Sequence, residues 1–388
     1  MSYHLTLANE ALESYIADRM AEAALLWRRA AGSALEVGDR TSWYRYNVWA
    51  ADATRIHGNL PAALALIISA RQDEPEDAPE FEAYFLRVQV FEITLAIRPL
   101  LERLTVLVED LQQFSIVRSV PPGELSWVQG QLDSSRGCWE AALTSYEKAY
   151  RDFTGVGVIK CEKAYHAGLC CLRLGRLSAC RDWMTSMSGY EPERASNAVW
   201  QAELALRLAL SAKRPVHEVG KLLRAFVDCS AVVQDQATAD EVRDLTVRVH
   251  LLDLAGGDPI ALPHPSRQEL RRRLASKYHT GYRYGARLLL LDYRLACLRF
   301  ATGVSAVDDL YYRRRQRAPV NVATINEPDS ASRLRKARTT AQWTLRYAQK
   351  LDTMLNCDWR EKEVRTRILR IEQIAKWCAV GSSASHQP

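Results

Sequence analysis

The stretch RGCWEAALTSYEKAYRDF, residues 136–153, decides the fold of this chain. Within it, Gly137 is followed by Trp139, Ala142, Tyr146 and Ala149, at distances of 2, 5, 9 and 12 residues. Apolar residues at these intervals lie along one face of an α-helix. A glycine just before them closes the preceding helix, because it tolerates left-handed backbone angles. The stretch therefore predicts a tight turn followed by an amphipathic helix.

The same spacing returns after Asp18, Gly58 and Gly175. The four positions that follow these turns are Met20, Ala23, Trp27 and Ala30; Leu60, Ala63, Ile67 and Ala70; and Leu177, Cys180, Met184 and Met187. A small residue stands seven positions before each of the four turns: Ala11, Ala51, Gly130 and Gly168. Each copy predicts two antiparallel helices that approach closely at small residues. One hairpin cannot bury its own apolar face, so neighbouring hairpins must stack on it.

These offsets resemble the tetratricopeptide repeat, whose consensus places small, small, aromatic, Ala, aromatic and Ala residues in this order. The turns that adjoin are 38 to 40 residues apart, whereas the familiar repeat has a period of about 34. Gly58 and Gly137 are 79 residues apart, which leaves room for one degenerate copy between them. The resemblance implies an all-α fold, a right-handed α-solenoid of about nine stacked antiparallel helical hairpins with a C-terminal irregular helical extension.

The chain is predicted to have three parts. Residues 1–255 form the tetratricopeptide-like solenoid, residues 256–379 a basic helical region that continues or caps it, and residues 380–388 a disordered tail. The first boundary is GGDPIALPHPS (256–266), which is rich in glycine and proline. A long last helix is expected from about residue 331 to 377, with a break near Asn356. No segment alternates as a strand does.

Charge is divided unevenly along the chain. Residues 259–388 carry 25 Lys or Arg against 11 Asp or Glu, a net charge of +14, whereas residues 1–258 carry 27 against 35, a net charge of −8. This division indicates two surfaces with different partners, or two halves that attract each other. No apolar run reaches the roughly 18 residues of a membrane span, no signal-peptide pattern is present, and nine cysteines without a disulfide framework suggest reduced thiols. We expect a cytoplasmic protein with no membrane contact.

The resemblance also implies a concave groove lined by the first helix of each hairpin. The candidate groove residues are Arg45, Val48, Asp52, Arg55, Trp127, Gln131, Glu162, Tyr165 and Arg173. The Lys and Asn residues with which the family clamps C-terminal carboxylates are not matched, so a chaperone-tail adaptor is not expected. The leading hypothesis is a non-enzymatic scaffold, adaptor or regulator that binds a peptide or another protein in this groove.

Basic clusters in the C-terminal half support a second hypothesis, an RNA- or DNA-binding regulator. The cations that would contact nucleic acid or an acidic partner are Arg271, Arg272, Arg273, Arg313, Arg314, Arg315, Arg335, Lys336 and Arg338. A third hypothesis is a helical ribonuclease resembling the HEPN family, whose Arg-x4–6-His motif is matched before His250 and His279. An Arg-rich chain gives as many matches by chance, so this motif carries no signal.

The cluster Cys161, His166, Cys170, Cys171 and Cys180 superficially suggests a metal site. Structural zinc sites pair their ligands two to four residues apart in turns, whereas Cys180 occupies the small position of the repeat. Helix packing explains these residues, so no metal and no cofactor is predicted. No phosphate-binding loop, nucleophile elbow or metalloprotease motif is present, and we do not expect an enzyme.

Overall fold

The computed structural model of the chain describes residues 2–97, 99–118, 122–153, 157–189, 195–233, 245, 327–366, 368–369 and 372. These residues are helical apart from the turns and loops between helices, as the sequence predicted. The helices are α1 (Tyr3–Ile16), α2 (Met20–Glu36), α3 (Arg40–His57), α4 (Leu60–Gln72), α5 (Glu80–Ile97), α6 (Leu101–Arg118), α7 (Pro122–Arg136), α8 (Trp139–Asp152), α9 (Gly157–Arg173), α10 (Leu177–Ser188), α11 (Ala195–Ser211), α12 (Val216–Ser230) and α13 (Glu327–Leu355). Residues 359–366 form a further helix, α14.

Each of the four predicted turn residues adopts left-handed backbone angles, with φ values of 57° at Asp18, 100° at Gly58, 79° at Gly137 and 73° at Gly175. The hydrogen bonds of these turns are also alike. At the fourth hairpin, the Gly137 amide donates to the Ser134 carbonyl (3.1 Å) and the next amide donates to the Asp133 carbonyl (2.9 Å). This pattern closes the first helix by satisfying carbonyls that have no partner within it. The predicted turn chemistry is confirmed.

Helices α1 to α12 pack in chain order, each against the next, and form six hairpins from α1/α2 to α11/α12. The degenerate copy is the third hairpin, α5/α6. Its turn carries Pro99 where the second, fourth and fifth hairpins carry glycine, and the apolar stripe is intact when it is counted from this proline: Leu101, Leu104, Val108 and Leu111. The described residues therefore form an all-α stack of hairpins, as expected for a helical repeat.

The predicted apolar stripe forms the core of each hairpin. In α8, Ala142 and Ala149 are fully buried and Tyr146 is 1% exposed. Gly130 lies directly under the Tyr146 ring, so a β-carbon at this glycine would approach the ring to 2.7 Å. Gly168 differs from the prediction, because a β-carbon there would meet Leu204 of the next hairpin rather than its own partner helix. Gly168, seven positions before this turn, therefore sets the spacing between its own hairpin and the next.

The first helices of the hairpins lie on the inner side of the stack. Helix α3 contacts α5, α5 contacts α7, and α9 contacts α11. Among the described residues, no two second helices contact each other as extensively. Closer packing on one side bends the stack toward that side. The curvature brings distant hairpins together, because the Asp18 carboxylate in the first turn accepts a hydrogen bond from the Ser196 amide at the start of α11 (2.8 Å).

Helices α13 and α14 form the C-terminal hairpin, which docks on the turn of the fourth hairpin. Asn356 adopts a φ of 48° and breaks the long last helix where the sequence predicted. The Trp359 indole nitrogen (3.3 Å) and the Arg360 guanidinium (2.9 Å) both donate to the Ser135 carbonyl near the end of α7. The Trp359 ring lies against Gly137. Residues 352–364 are thereby fixed to the N-terminal solenoid.

The charges at this docking site differ from the attraction expected between the acidic N-terminal half and the basic C-terminal half. The ion pair across it joins Arg173 of the acidic half to Glu363 of the basic half (3.6 Å), the reverse of the polarity that the net charges imply. The Arg173 guanidinium also lies 5.4 Å from the ring centroids of both Trp139 and Trp359. Aromatic and backbone contacts therefore contribute to this interface beside the ion pair.

The predicted boundary at 256–266, the tail at 380–388 and the three-part division fall on residues outside those that the structure describes. The number of nine hairpins and the right-handed superhelix stay predictions as well. None of the helices among the described residues combines the length and the apolarity that crossing a membrane requires.

Candidate functional site

The structure places the nine predicted groove residues on the first helices α3, α7 and α9. Their exposure divides them into two groups. Arg45 and Arg173 are exposed, and Arg55, Gln131 and Glu162 are partly buried. The buried members are Val48, Asp52, Trp127 and Tyr165.

Val48 is a correction to the prediction. Its side chain is fully buried in the cluster that joins the second and third hairpins, so it offers no surface to a ligand. On a tightly packed inner helix, the position ten residues before the turn faces the neighbouring hairpin instead of the groove. Trp127 and Tyr165 occupy the same position in their own hairpins and are buried for the same reason.

Glu92 of α5 connects most of the polar groove residues. Its Oε1 accepts hydrogen bonds from the Gln131 amide (2.9 Å) and from the Trp127 indole (3.4 Å), both on α7. Its Oε2 forms an ion pair with Arg55 of α3 (3.0 Å). One carboxylate therefore joins the first helices of the second, third and fourth hairpins.

Asp52 extends this arrangement to the first hairpin. The carboxylate is 1% exposed and accepts a hydrogen bond from the Tyr15 hydroxyl of α1 (2.5 Å). It also accepts two from the Arg55 guanidinium, at 2.6 and 3.2 Å. Tyr15, Asp52, Arg55, Glu92, Trp127 and Gln131 thus form one polar network that crosses four successive first helices. We call these six residues the inner polar network.

The electrostatics of the inner polar network are balanced around Arg55. Burial disfavours the charged form of this guanidinium, but the carboxylates of Glu92 and Asp52 outweigh it and raise the pKa of Arg55 above its ordinary value. Each of these charge-assisted bonds is stronger than a neutral one, because both partners are shielded from water. The Arg55 guanidinium therefore stays charged throughout the physiological pH range.

Aromatic side chains lie beside the inner polar network. The Trp49 ring of α3 contacts Tyr15 of α1 at 5.9 Å between centroids, and Phe81 and Phe85 of α5 at 6.2 and 5.2 Å. Trp49 and Phe85 are partly buried, whereas Phe81 is 42% exposed. Arg45, one turn from Trp49, is half exposed and pairs with Glu82 of α5 (3.1 Å). The first three hairpins thus present an aromatic surface bordered by a cation.

The sequence prediction missed Glu92, Trp49, Phe81 and Phe85. A signal for the first was present, because Glu92 is the single acid in the segment FLRVQVFEITLAI (85–97). A charged residue amid apolar neighbours in a helix interior must find partners to be buried. The aromatic residues carried no comparable signal, because nothing in the repeat template distinguishes an inner-face ring from a core ring.

A second buried charge lies between the fourth and fifth hairpins. The Lys163 side chain is 2% exposed and pairs with Glu124 of α7 (3.2 Å). Its ammonium lies 4.9 Å from the Trp127 ring centroid and 4.6 Å from that of Phe153. Burial, and then the charge of Lys163, lower the pKa of the nearby His166 to about 4. This imidazole is neutral at physiological pH and packs among aromatic rings.

The cysteine-rich segment is part of the core, as the packing interpretation predicted. Cys161, Cys170, Cys171 and Cys180 are buried in the largest apolar cluster. Burial raises the pKa of Cys161 to about 11 and those of Cys170 and Cys180 to about 12, so these thiols are protonated. Within the described part of the chain, no group of three His, Cys, Asp or Glu residues could hold a metal ion.

The basic surface is described only in part. Arg271, Arg272, Arg273, Arg313, Arg314 and Arg315 lie outside the described residues, as do the Arg-x4–6-His matches and the side chain of Lys336. Arg335 is exposed on α13. Arg338 is exposed on α13 and donates two hydrogen bonds to Glu372 (2.8 and 2.6 Å), which raise its pKa. Its role toward a ligand stays a prediction.

No protein-family model matches the chain, and no curated protein matches it either.

Proposed function

We propose that this protein is a non-enzymatic interaction module, a tetratricopeptide-like array that binds a peptide segment or a partner protein along its inner face. The stacking order supports this proposal, since six hairpins in chain order place their first helices side by side. An array of this kind offers an extended concave surface to one continuous ligand. The binding mechanism is polar and shape complementarity on a surface formed in advance.

The inner polar network is the observation that carries the proposal. It crosses four hairpins and fixes the side chains of Arg55 and Gln131 by contacts within the protein. Side chains that are already ordered lose little conformational freedom when a ligand arrives, which lowers the cost of binding. The hydrogen bond between Asp18 and Ser196 adds to this order by tying the first hairpin to the sixth.

The accessible groups indicate the chemistry of the ligand. Arg45 is 47% exposed and can exchange part of its contact with Glu82 for a carboxylate of the ligand. Phe81, on the neighbouring first helix, is accessible next to Trp49 and offers an apolar contact. A segment that carries an acidic residue close to an aromatic or aliphatic residue fits this pair of features.

The proposal can be tested with a random peptide library displayed on phage and selected on the intact protein. The affinity of the enriched peptides is then measured by calorimetry for the wild type and for the double variant Arg45→Ala/Phe81→Ala. We expect enriched peptides with the acidic–aromatic pattern and a loss of affinity of at least about tenfold in this variant, since each anchor contributes about 1 kcal/mol or more.

The matched control is Lys148→Ala/Ile116→Ala, which removes an exposed cation from α8 and an exposed apolar side chain from α6, both second helices. This variant should change the affinity by less than about twofold, because surface contacts away from a binding site contribute little. Equal losses in the two variants, or no enrichment above an unrelated protein, would count against capture on the inner face.

A further inference from the structure

One face of α13 carries cations without acids. Arg335, Thr339, Gln342, Arg346 and Lys350 recur at intervals of three or four residues and are exposed. Residues 330–351 contain no Asp or Glu. The opposite face is buried through Ala341, Thr344, Ala348, Leu351 and Leu355. The exposed face is about 22 Å long from its first to its last cation.

The cations on this face have no acidic partner in the part of the chain that the structure describes. Arg335, Arg346 and Lys350 form no ion pair there, in contrast to Arg338, which Glu372 neutralises, and to Arg360, which pairs with Asp352 (2.9 Å). The neighbouring Arg338 and Arg360 are thus paired, whereas Arg335, Arg346 and Lys350 pair with no acid among the described residues. Their uncompensated charge attracts anions.

An aromatic ring lies at the edge of the same face. Trp343 is 52% exposed, although large apolar side chains are usually buried. The Arg346 guanidinium lies 5.8 Å from the centroid of this ring. An exposed indole flanked by cations is the arrangement on which single-stranded nucleic acids stack their bases while their phosphates contact the cations.

We propose that this face of α13 binds single-stranded nucleic acid. Arg335, Arg346 and Lys350 contact successive phosphates, Trp343 stacks a base, and Gln342 donates hydrogen bonds to sugar or base edges. A duplex would leave the indole without a base to stack on, because its bases are already paired and stacked. An acidic peptide would use the cations but leave the ring without a partner. This surface shares no residue with those named for the inner face, so the inference is independent of the proposed function.

The probes for the test are fluorescein-labelled 15-nucleotide oligouridylate and oligothymidylate, with binding to the full chain followed by fluorescence anisotropy. We expect Arg335→Gln/Arg346→Gln/Lys350→Gln to weaken binding and to reduce the slope of log affinity against log salt by about 2, since each contact in a single strand contributes about 0.7. Trp343→Ala should weaken binding about 5- to 150-fold, the contribution of one stacked base. Trp343→Phe should keep most of the wild-type affinity, because a phenyl ring can also stack on a base.

The matched control removes three exposed cations from other helices, Arg181→Gln/Lys221→Gln/Arg224→Gln on α10 and α12. The two triple variants have the same net charge, so a stronger loss in the α13 variant supports the proposal. Equal losses would overturn it in favour of unspecific attraction. Poly-glutamate serves as a competitor at the same concentration of charges as unlabelled oligonucleotide. If it displaces the probe as well as the oligonucleotide does, the ligand is an acidic protein, and the proposal is overturned. Absence of binding at 50 mM salt would also refute it.

Discussion

A single methyl group at Gly137 tests whether the C-terminal hairpin docks where the structure places it. This glycine has a φ of 79°, and a β-carbon added there would collide with the Trp359 indole, reaching Cγ at 2.8 Å. Gly175 offers a matched control, because it has a φ of 73° in the equivalent turn and its added β-carbon would meet nothing within 4 Å. The substitutions Gly137→Ala and Gly175→Ala therefore share the backbone penalty and differ in the collision.

The magnitudes follow from these two contributions. A left-handed conformation costs an alanine about 1–2 kcal/mol, and this penalty applies to both variants. Forcing a methyl group against a packed ring costs a further ~1–3 kcal/mol, and this penalty applies to Gly137→Ala alone. In a Trp359→Ala background the collision disappears, so the two glycine substitutions should then have equal effects.

Hydrogen exchange followed by mass spectrometry is the appropriate assay, because unfolding of a long repeat array is not reliably two-state. We expect residues 359–366 to exchange about 5- to 150-fold faster in Gly137→Ala, which corresponds to the loss of about 1–3 kcal/mol from the local opening free energy. In Gly175→Ala the exchange of this segment should not change. Equal exchange of residues 359–366 in the two variants would refute the docking, and so would a difference that persists without the indole.

Three further predictions concern the packing and charges of the solenoid. Gly130→Ala should lower the local opening free energy of α7 and α8, measured by hydrogen exchange, by about 1–3 kcal/mol through overpacking, whereas Gly32→Ala, in an open position of α2, should raise that of α2 by about 0.5–1 kcal/mol. Glu124→Ala should cost about 3–5 kcal/mol in the same measurement, because it strands the buried Lys163 charge, and Glu124→Leu/Lys163→Met should recover most of the loss. Because burial lowers the pKa of His166 to about 4, its contribution to stability is complete above pH ~6.5 and is lost as the pH falls toward 4. Hydrogen exchange of α9 at pH 7 and pH 5, corrected for the intrinsic exchange rates, should therefore show a smaller acid loss of local stability in His166→Gln than in the wild type, and an equal loss would contradict this assignment.

Local sequence determined the hairpins of this protein. The repeat template runs only from seven positions before each turn to twelve positions after it, so the geometry of a hairpin follows from helix period and backbone preference. The third hairpin obeys the same rule once proline is accepted in place of glycine at its turn. Its helices span residues 80–97 and 101–118, in the room that the sequence left for one degenerate copy.

The choice between core and surface could not be made from the period. A first helix packs against its partner and against hairpins on either side, so apolar and polar positions alternate around most of its circumference. The template placed Val48 and Arg45 together in the groove, but the structure buries Val48 and leaves Arg45 half exposed. Which of two neighbouring positions faces the ligand depends on how far each hairpin rotates on the next.

Only the tertiary structure decided the contacts that give the array its inner surface and its closure. Glu92 meets partners 37 and 39 residues away along the chain, Asp18 meets a partner 178 residues away, and Trp359 one that is 224 residues away. The two Glu92 contacts join neighbouring hairpins about one period apart, but no periodic pattern specifies the contacts of Asp18 and Trp359, because these depend on the curvature of the whole stack. Sequence determined the repeating unit since its interactions are local, whereas curvature accumulates small rotations at every interface, and these are fixed only when all the hairpins pack together.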